Sequence, residues 1–460
     1  MLKRNIKKLI IDKPIKHFPN LDYMTITRYS HAFLVGVLNV ELKPSQLSKE
    51  WERQVMPNNG EHGYDNLCKL YYKGYVDSML QAQHQKRPKF VDGVCHYIHM
   101  VESSKQRVSL SRIIERKKKY ADEIESCTIQ HIDGYNLKVC AIHLYFFPLR
   151  TALFAIEIDD SGSELNALTM GHFCLMNWIW EGECRFHDNS KIALCETLAP
   201  LQALLIKKKK NLASLMAGGS KMKIFRTIQL EGLKSITAPN TFETMLYEIG
   251  TNAPIGCVNG NAWLSPSKVY YESIMKDNIV SEFKSWKALA LMDSFTLLGT
   301  EGGFREEDWN MLYFPLIYLR CFYEKSFCFS RNNNYREGRV KGNLSRDIAQ
   351  MEKFYFYQNI SYNFLPNLLY KAMAKGLELE DERLELSKQI KEKSERNKDI
   401  ILGFVSAFAI FSIVYDLYSI IISAMGVPTE SVPSIAIILF ALGAVSIISI
   451  NIYLLSRRIE

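Results

Sequence analysis

Two apolar runs close the chain and limit its fold more than anything before them. Residues 400–425 (IILGFVSAFAIFSIVYDLYSIIISAM) carry one formal charge, Asp416, and residues 433–455 (PSIAIILFALGAVSIISINIYLL) carry none. At ~1.5 Å per residue each is long enough, as a helix, to cross a hydrocarbon core roughly 30 Å thick. The intervening GVPTESV admits only a tight turn, so the pair reads as an antiparallel transmembrane hairpin. Lys391, Lys393, Arg396 and Lys398 precede the first run, and Arg457 and Arg458 follow the second, while the turn holds no basic residue. The positive-inside rule therefore expects a multi-pass protein of the cell (inner) membrane with both termini cytoplasmic.

Ser412, Asp416, Ser419 and Ser423 recur at intervals of four, three and four, which is one stripe of a helix. That stripe is the candidate pore lining. Asp416 lies about ten residues from the outer end, roughly 15 Å deep, where a carboxylate faces water or a partner group. Two readings stay open: a ring of carboxylates attracting cations, or a bond to Tyr415, Tyr418 or a serine that glues helices together. Two helices enclose no hole, so conduction requires several copies, and lipid and a homo-oligomer are the expected partners. The second run, with Gly443, Ala444, Ser446 and Ser449, suits packing better than a pore wall.

About 400 residues remain outside the membrane, enough for two domains and a sizeable core. Against 49 acidic side chains, 57 basic ones give a mild excess that suits an anionic headgroup or ligand without demanding a nucleic acid polymer. No apolar leader opens the chain, and none of the ten cysteines falls in a C-x-x-C pair, so free thiols are expected.

Along the chain, residues 25–40 read as strand, 67–83 as an amphipathic helix and 112–124 as a charged helix. Cys95-His96-Tyr97-Ile98-His99 has metal-type side chains but no second ligand pair at a fitting spacing, so no metal is assigned. Residues 137–147 and 151–158 are apolar strands, and Asp159 and Asp160 are expected to cap a helix running to about 180. Strand, strand, helix implies a mixed α+β domain. A helix is expected over 198–215, loops and short helices over 240–284, one strand over 288–298, and a helix bent by Pro315 over 309–331. A further helical stretch, interrupted near Pro366, runs from 344 to 400 and joins the first apolar run as one rod.

Lysine clusters are the only ligand signal. Arg116, Lys117, Lys118 and Lys119, then Lys207, Lys208, Lys209 and Lys210, then Lys221 and Lys223, supply the positive charge and donors that a phosphate-bearing ligand needs. None has the spacing of a P-loop, and no nucleophile elbow, kinase loop or zinc signature is present, so no catalytic residue is assigned and no enzyme is expected.

The domain order is thus an α+β cytoplasmic sensing domain (1–304, with a subdomain boundary near 136), a long antiparallel helical hairpin and stalk (305–399), a pore-lining span (400–426), an outer turn (427–432), a second span (433–455) and a basic tail (456–460). From about 305 onward this resembles the CorA-like family of divalent-cation channels and transporters. The resemblance implies a ring of subunits, a pentamer, around the first span. Where that family carries Gly-Met-Asn at the outer mouth, this chain reads Ala424-Met425-Gly426-Val427, so no metal-binding residue carries over. CorA-like members lacking the motif include membrane effectors of type III CRISPR defence, which implies an adenylated nucleotide messenger as ligand. A constitutive divalent-cation (Mg2+/Co2+) transporter, and a membrane-anchored scaffold or enzyme, are the alternatives.

Overall fold

The computed structural model describes residues 26–38, 42–54, 94–116, 127–176, 184–186, 196–207, 222–236, 238–259, 265–337, 344–356 and 359–425. The chain divides into two compact units, Met1–Asn333 with Lys341–Glu382, and Asn334–Val340 with Arg383–Glu460.

The first unit is a mixed α+β domain built on an 11-stranded sheet. Its strands are β1 (Thr27–Val37), β2 (Glu52–Gln54), β3 (Cys95–Met100), β4 (Arg107–Arg116), β5 (Cys127–Phe146), β6 (Ala152–Asp159), β7 (Cys184–Phe186), β8 (Lys223–Leu230), β9 (Ile279–Val280), β10 (Trp286–Ala290) and β11 (Ser294–Gly299). Nine follow the order β2-β3-β5-β6-β1-β8-β11-β10-β9; β4 branches from β5 and carries β7 on its other edge. Among the described residues only β8 and β11 pair in parallel. β5 is long enough to serve two neighbours on one edge, β4 along its first half and β3 along its second.

Helices cover both faces, which is why β6 and β8 are buried at nearly every position rather than at alternate ones. The helices are α1 (Leu165–Met176), α2 (Ala199–Ile206), α3 (Pro239–Gly250), α4 (Lys268–Asn278), α5 (Leu319–Arg336), α6 (Leu344–Phe354), α7 (Phe364–Gly376) and α8 (Leu379–Ala424). Leu168, Leu205, Leu246 and Met275 of α1 to α4 share one core with Leu34, Ile142, Ile156, Ile224 and Leu298 of the sheet. Opposite, Phe33, Phe225 and Phe295 lie side by side in register and receive a π-helix, Trp309–Tyr318, that leads into α5. Phe314 of that π-helix stacks on Phe33 at 3.9 Å between ring centroids and lies 5.2 Å from Phe225. α7 comes so close to β10 that a Cβ at Gly376 would sit 2.7 Å from the Ala290 carbonyl.

Several sequence expectations are corrected. Residues 112–116 belong to strand β4, not to a helix, because Arg112, Ile113 and Ile114 pair with Phe186, Arg185 and Cys184. The expected single strand over 288–298 is a hairpin turning at Leu291-Met292-Asp293, with Leu291 N–H donating to Ser294 O. The helix beginning near 198 ends at Ile206; the one expected to run to about 180 is described over Leu165–Met176, and 177–180 lie outside the described residues. Pro315 stands within the π-helix, whose widened turns accommodate its missing N–H. Residues 67–83 lie outside the described residues.

Candidate functional site

α8 spans 46 residues, so that its C-terminal end, 400–424, is the first apolar run. Over 400–424 large apolar side chains are open: Leu402, Val405, Ile410, Ile413, Leu417 and Ile420 are each more than half exposed. Ser412, Asp416 and Ser423 are exposed beside them. The side chain of Ser419 and the run 433–455 lie outside the described residues. Among the described residues no helix is long and apolar enough to cross a membrane.

Of the lysine clusters only Arg116, Lys207 and Lys223 fall among the described residues. Arg116 ends β4, Lys207 is exposed at the C-terminus of α2, and Lys117, Lys118, Lys119, Lys208, Lys209, Lys210 and Lys221 lie outside the described residues. Lys223 opens β8 and is held in an ion pair by Asp293, so it is not a free phosphate ligand.

The sheet assembles two groups that the spacing of residues did not suggest. The first is a row crossing four strands on the face that carries the π-helix. His31 of β1 and His143 of β5 direct Nε2 at the two carboxylate oxygens of Glu157 on β6, each at 2.9 Å. His96 Nε2 of β3 meets His143 Nδ1 at 2.9 Å. Tyr145 stacks on His96 at 4.3 Å, and the ring of His31 meets the edge of Phe33 at 4.9 Å. Burial alone would raise the Glu157 carboxyl. Hydrogen bonds from His143 and His31, and their charge, outweigh burial and hold the group well below the usual carboxylate range. Burial, then repulsion from His143, lowers the His96 imidazole, with Glu157 opposing. Four of the six imidazole nitrogens are spent on one another and on the carboxylate instead of converging on a point, and among the described residues no group of His, Cys, Asp or Glu is arranged to hold a metal. His99, three positions from His96, points to the other side of the strand, which separates the two histidines of the CHYIH segment.

The second group is sealed in the opposite core. Asp160 does not cap α1: its Oδ2 accepts from His172 Nε2 at 2.6 Å, and Arg226 donates to His172 Nδ1 at 3.2 Å, to Thr296 Oγ1 at 2.9 Å and to the Ile249 carbonyl. Asp159, instead, accepts from Ser161 N–H at 3.1 Å in a local turn. All of Asp160, His172 and Arg226 are within 2 % of full burial. An acid, an imidazole and a guanidinium in line invite a catalytic reading, but no substrate reaches them. Their effect is to tie the end of β6, α1, β8, α3 and β11 together.

Family models, characterised proteins and solved structures offer no match to this chain. The residues themselves therefore carry the functional argument. The signal that finds the histidine row is parity within strands: a titratable residue inside an apolar strand, on the face its neighbours bury, has to find a partner on the next strand.

Proposed function

We propose that this chain is the subunit of an oligomeric, CorA-like membrane ion channel. In this reading, residues 400–424 of α8 wall the path, Asp416 draws cations into it, and the α+β unit is a cytoplasmic receptor for a small ligand. An adenylated nucleotide messenger of a type III CRISPR defence system is the ligand class to test first. The observation that carries the proposal is α8 itself, 46 residues or about 70 Å of unbroken helix whose last two dozen residues expose large apolar side chains. Water is a poor solvent for such a surface, whereas lipid and neighbouring copies cover it at no cost. Ser412, Asp416 and Ser423 share the open stripe, as a wall facing water requires.

The first turn of α8 is held by α5, where Asn332 donates to Glu382 at 3.0 Å and Lys325 stands between Glu378 and Glu382 at 4.0 and 3.9 Å. A ligand that repacks α5 on the sheet thereby acts on the start of the rod. Reconstitution into liposomes tests the reading. Cation flux that appears with a nucleotide messenger and falls several-fold in Asp416→Ala supports it. Protein that sediments with the liposomes yet passes no ion under any messenger leaves an anchor, and protein that stays in solution as a monomer ends the membrane reading.

A further inference from the structure

The row His96–His143–Glu157–His31 has a proton inventory that geometry nearly dictates. Glu157 is an acceptor only, so His31 and His143 must each present Nε2–H to it. Neutral His143 then has a bare Nδ1, and His96 must present Nε2–H to fill it. Two bare nitrogens remain, Nδ1 of His31 and Nδ1 of His96. The first is buried without a partner, whereas His96 keeps part of its surface in contact with solvent.

We propose that this row is a proton-storing switch, in which one proton taken up at His96 comes to rest as an imidazolium at His143. The step balances within two rings. A proton from solvent bonds to His96 Nδ1; the N–H bond at His96 Nε2 breaks and its proton bonds to His143 Nδ1 across 2.9 Å. His96 is neutral again with its tautomer reversed, and the positive charge lies on the ring that touches the carboxylate. The charge settles on His143 because that ring touches the Glu157 carboxylate, whereas His96 reaches the carboxylate only through His143.

The surroundings suit a charge at this place. From β1, Tyr29 and His31 face the row; from β6, Asp159, bound to Lys138 of β5 at 3.7 Å; from β5, Tyr145 and the half-buried Cys140; from the turn before the π-helix, Glu306. Thr227 and Gln229 of β8 and Gln54 of β2 are uncharged neighbours in register. The described cations nearest by strand, Lys138 and Arg28, are already committed, Arg28 to Glu301. A charged His143 tightens its bond to Glu157 and draws the carboxylate from His31, whose ring edge bears on Phe33 and so on Phe314 of the π-helix. Proton uptake thus biases the contact between sheet and π-helix, and it does so whether or not the chain conducts ions.

The test is a titration of full-length, 15N-histidine-labelled protein in detergent, from about pH 8 to about pH 5, reading ring nitrogens. The expected result is one shared midpoint at which His143 gains its second N–H while His96 exchanges Nε2–H for Nδ1–H. In Glu157→Gln the midpoint falls by about one pH unit or more. His96→Phe keeps the stacking on Tyr145 but leaves the new N–H of His143 unpaired, and lowers the midpoint of His143 similarly. Separate midpoints, an imidazolium on His96, or an unmoved midpoint in whichever of the two variants folds would overturn the proposal.

Discussion

Replacing Arg226 with methionine tests the sealed group more sharply than any change at the surface. The side chain is fully buried and donates to three acceptors, Thr296 Oγ1, His172 Nδ1 and the Ile249 carbonyl. Methionine fills much of the volume but leaves those acceptors unpaired, and breaking one member of a buried charged group costs about 3–5 kcal/mol. The loss carries a pH signature. Burial lowers the His172 imidazole in the native protein; Asp160 opposes this, and Arg226 adds to the lowering. Without Arg226, His172 is free to take a proton at Nδ1 and pair as an imidazolium with Asp160. A histidine raised in the folded state lends stability that is fully present below its unfolded value near 6.5 and is lost as pH rises through the folded value. Native His172, lowered instead, costs stability as pH falls below about 6.5. Both trends shrink the deficit of the variant in acid, by ~1.4 kcal/mol for each unit its imidazole rises. Urea unfolding in detergent, followed by tryptophan fluorescence, should show a deficit of about 3–5 kcal/mol near pH 8 and one smaller by ~1 kcal/mol or more near pH 6. A deficit equal at both pH values, or below ~1 kcal/mol at the higher one, would refute the reasoning.

Three further outcomes follow from single positions. Leu149 and Arg150, joining β5 to β6, both adopt left-handed backbone with φ of 57° and 64°; Leu149→Asn or Arg150→Gly should raise stability by about 1 kcal/mol in the same unfolding assay. Gly376→Ala drives a methyl into the Ala290 backbone and should cost about 1–3 kcal/mol, with a matching drop in melting temperature. Cys140 is half-buried yet slow: burial first, then Glu157 and Asp159, push its thiol up to about 11 from 9.0, so maleimide labelling near neutral pH should run about a hundredfold below an ordinary exposed thiol.

The strands that read clearly from sequence are those whose residues agree with their surroundings. LKVCAIHLYFF and TALFAIEI are aromatic and aliphatic because both faces of β5 and β6 are covered, and they pair directly through a short turn. RIIERKKK reads as a helix because its charges fall at helical intervals, yet its first residues are strand because β5 and β7 flank them, information that lies far off in the chain. The hairpin at 291–293 escapes notice because Leu-Met-Asp holds neither glycine nor proline. The histidine row was hidden for a different reason. His31 and Glu157 stand 126 positions apart, and only the register of β1 on β6 brings them side by side. In the CHYIH segment the eye pairs His96 with His99, whereas the alternation of a strand sends them to opposite faces and gives His96 to His143. The apolar end of α8 was the most legible feature because its hydrophobicity needs no partner to be noticed.

Among the early residues of the chain, β1 lies in the middle of the sheet, with β6 on one side and β8 on the other. Neither neighbour begins before Ala152 or Lys223, so a chain leaving the ribosome carries an orphan strand until most of the body has been made. The sheet therefore cannot be divided into an early half and a late half that mature separately. A deletion that reached Thr27–Val37 would unzip the two flanking blocks from each other, whereas trimming an edge such as β9 would only shorten the fabric.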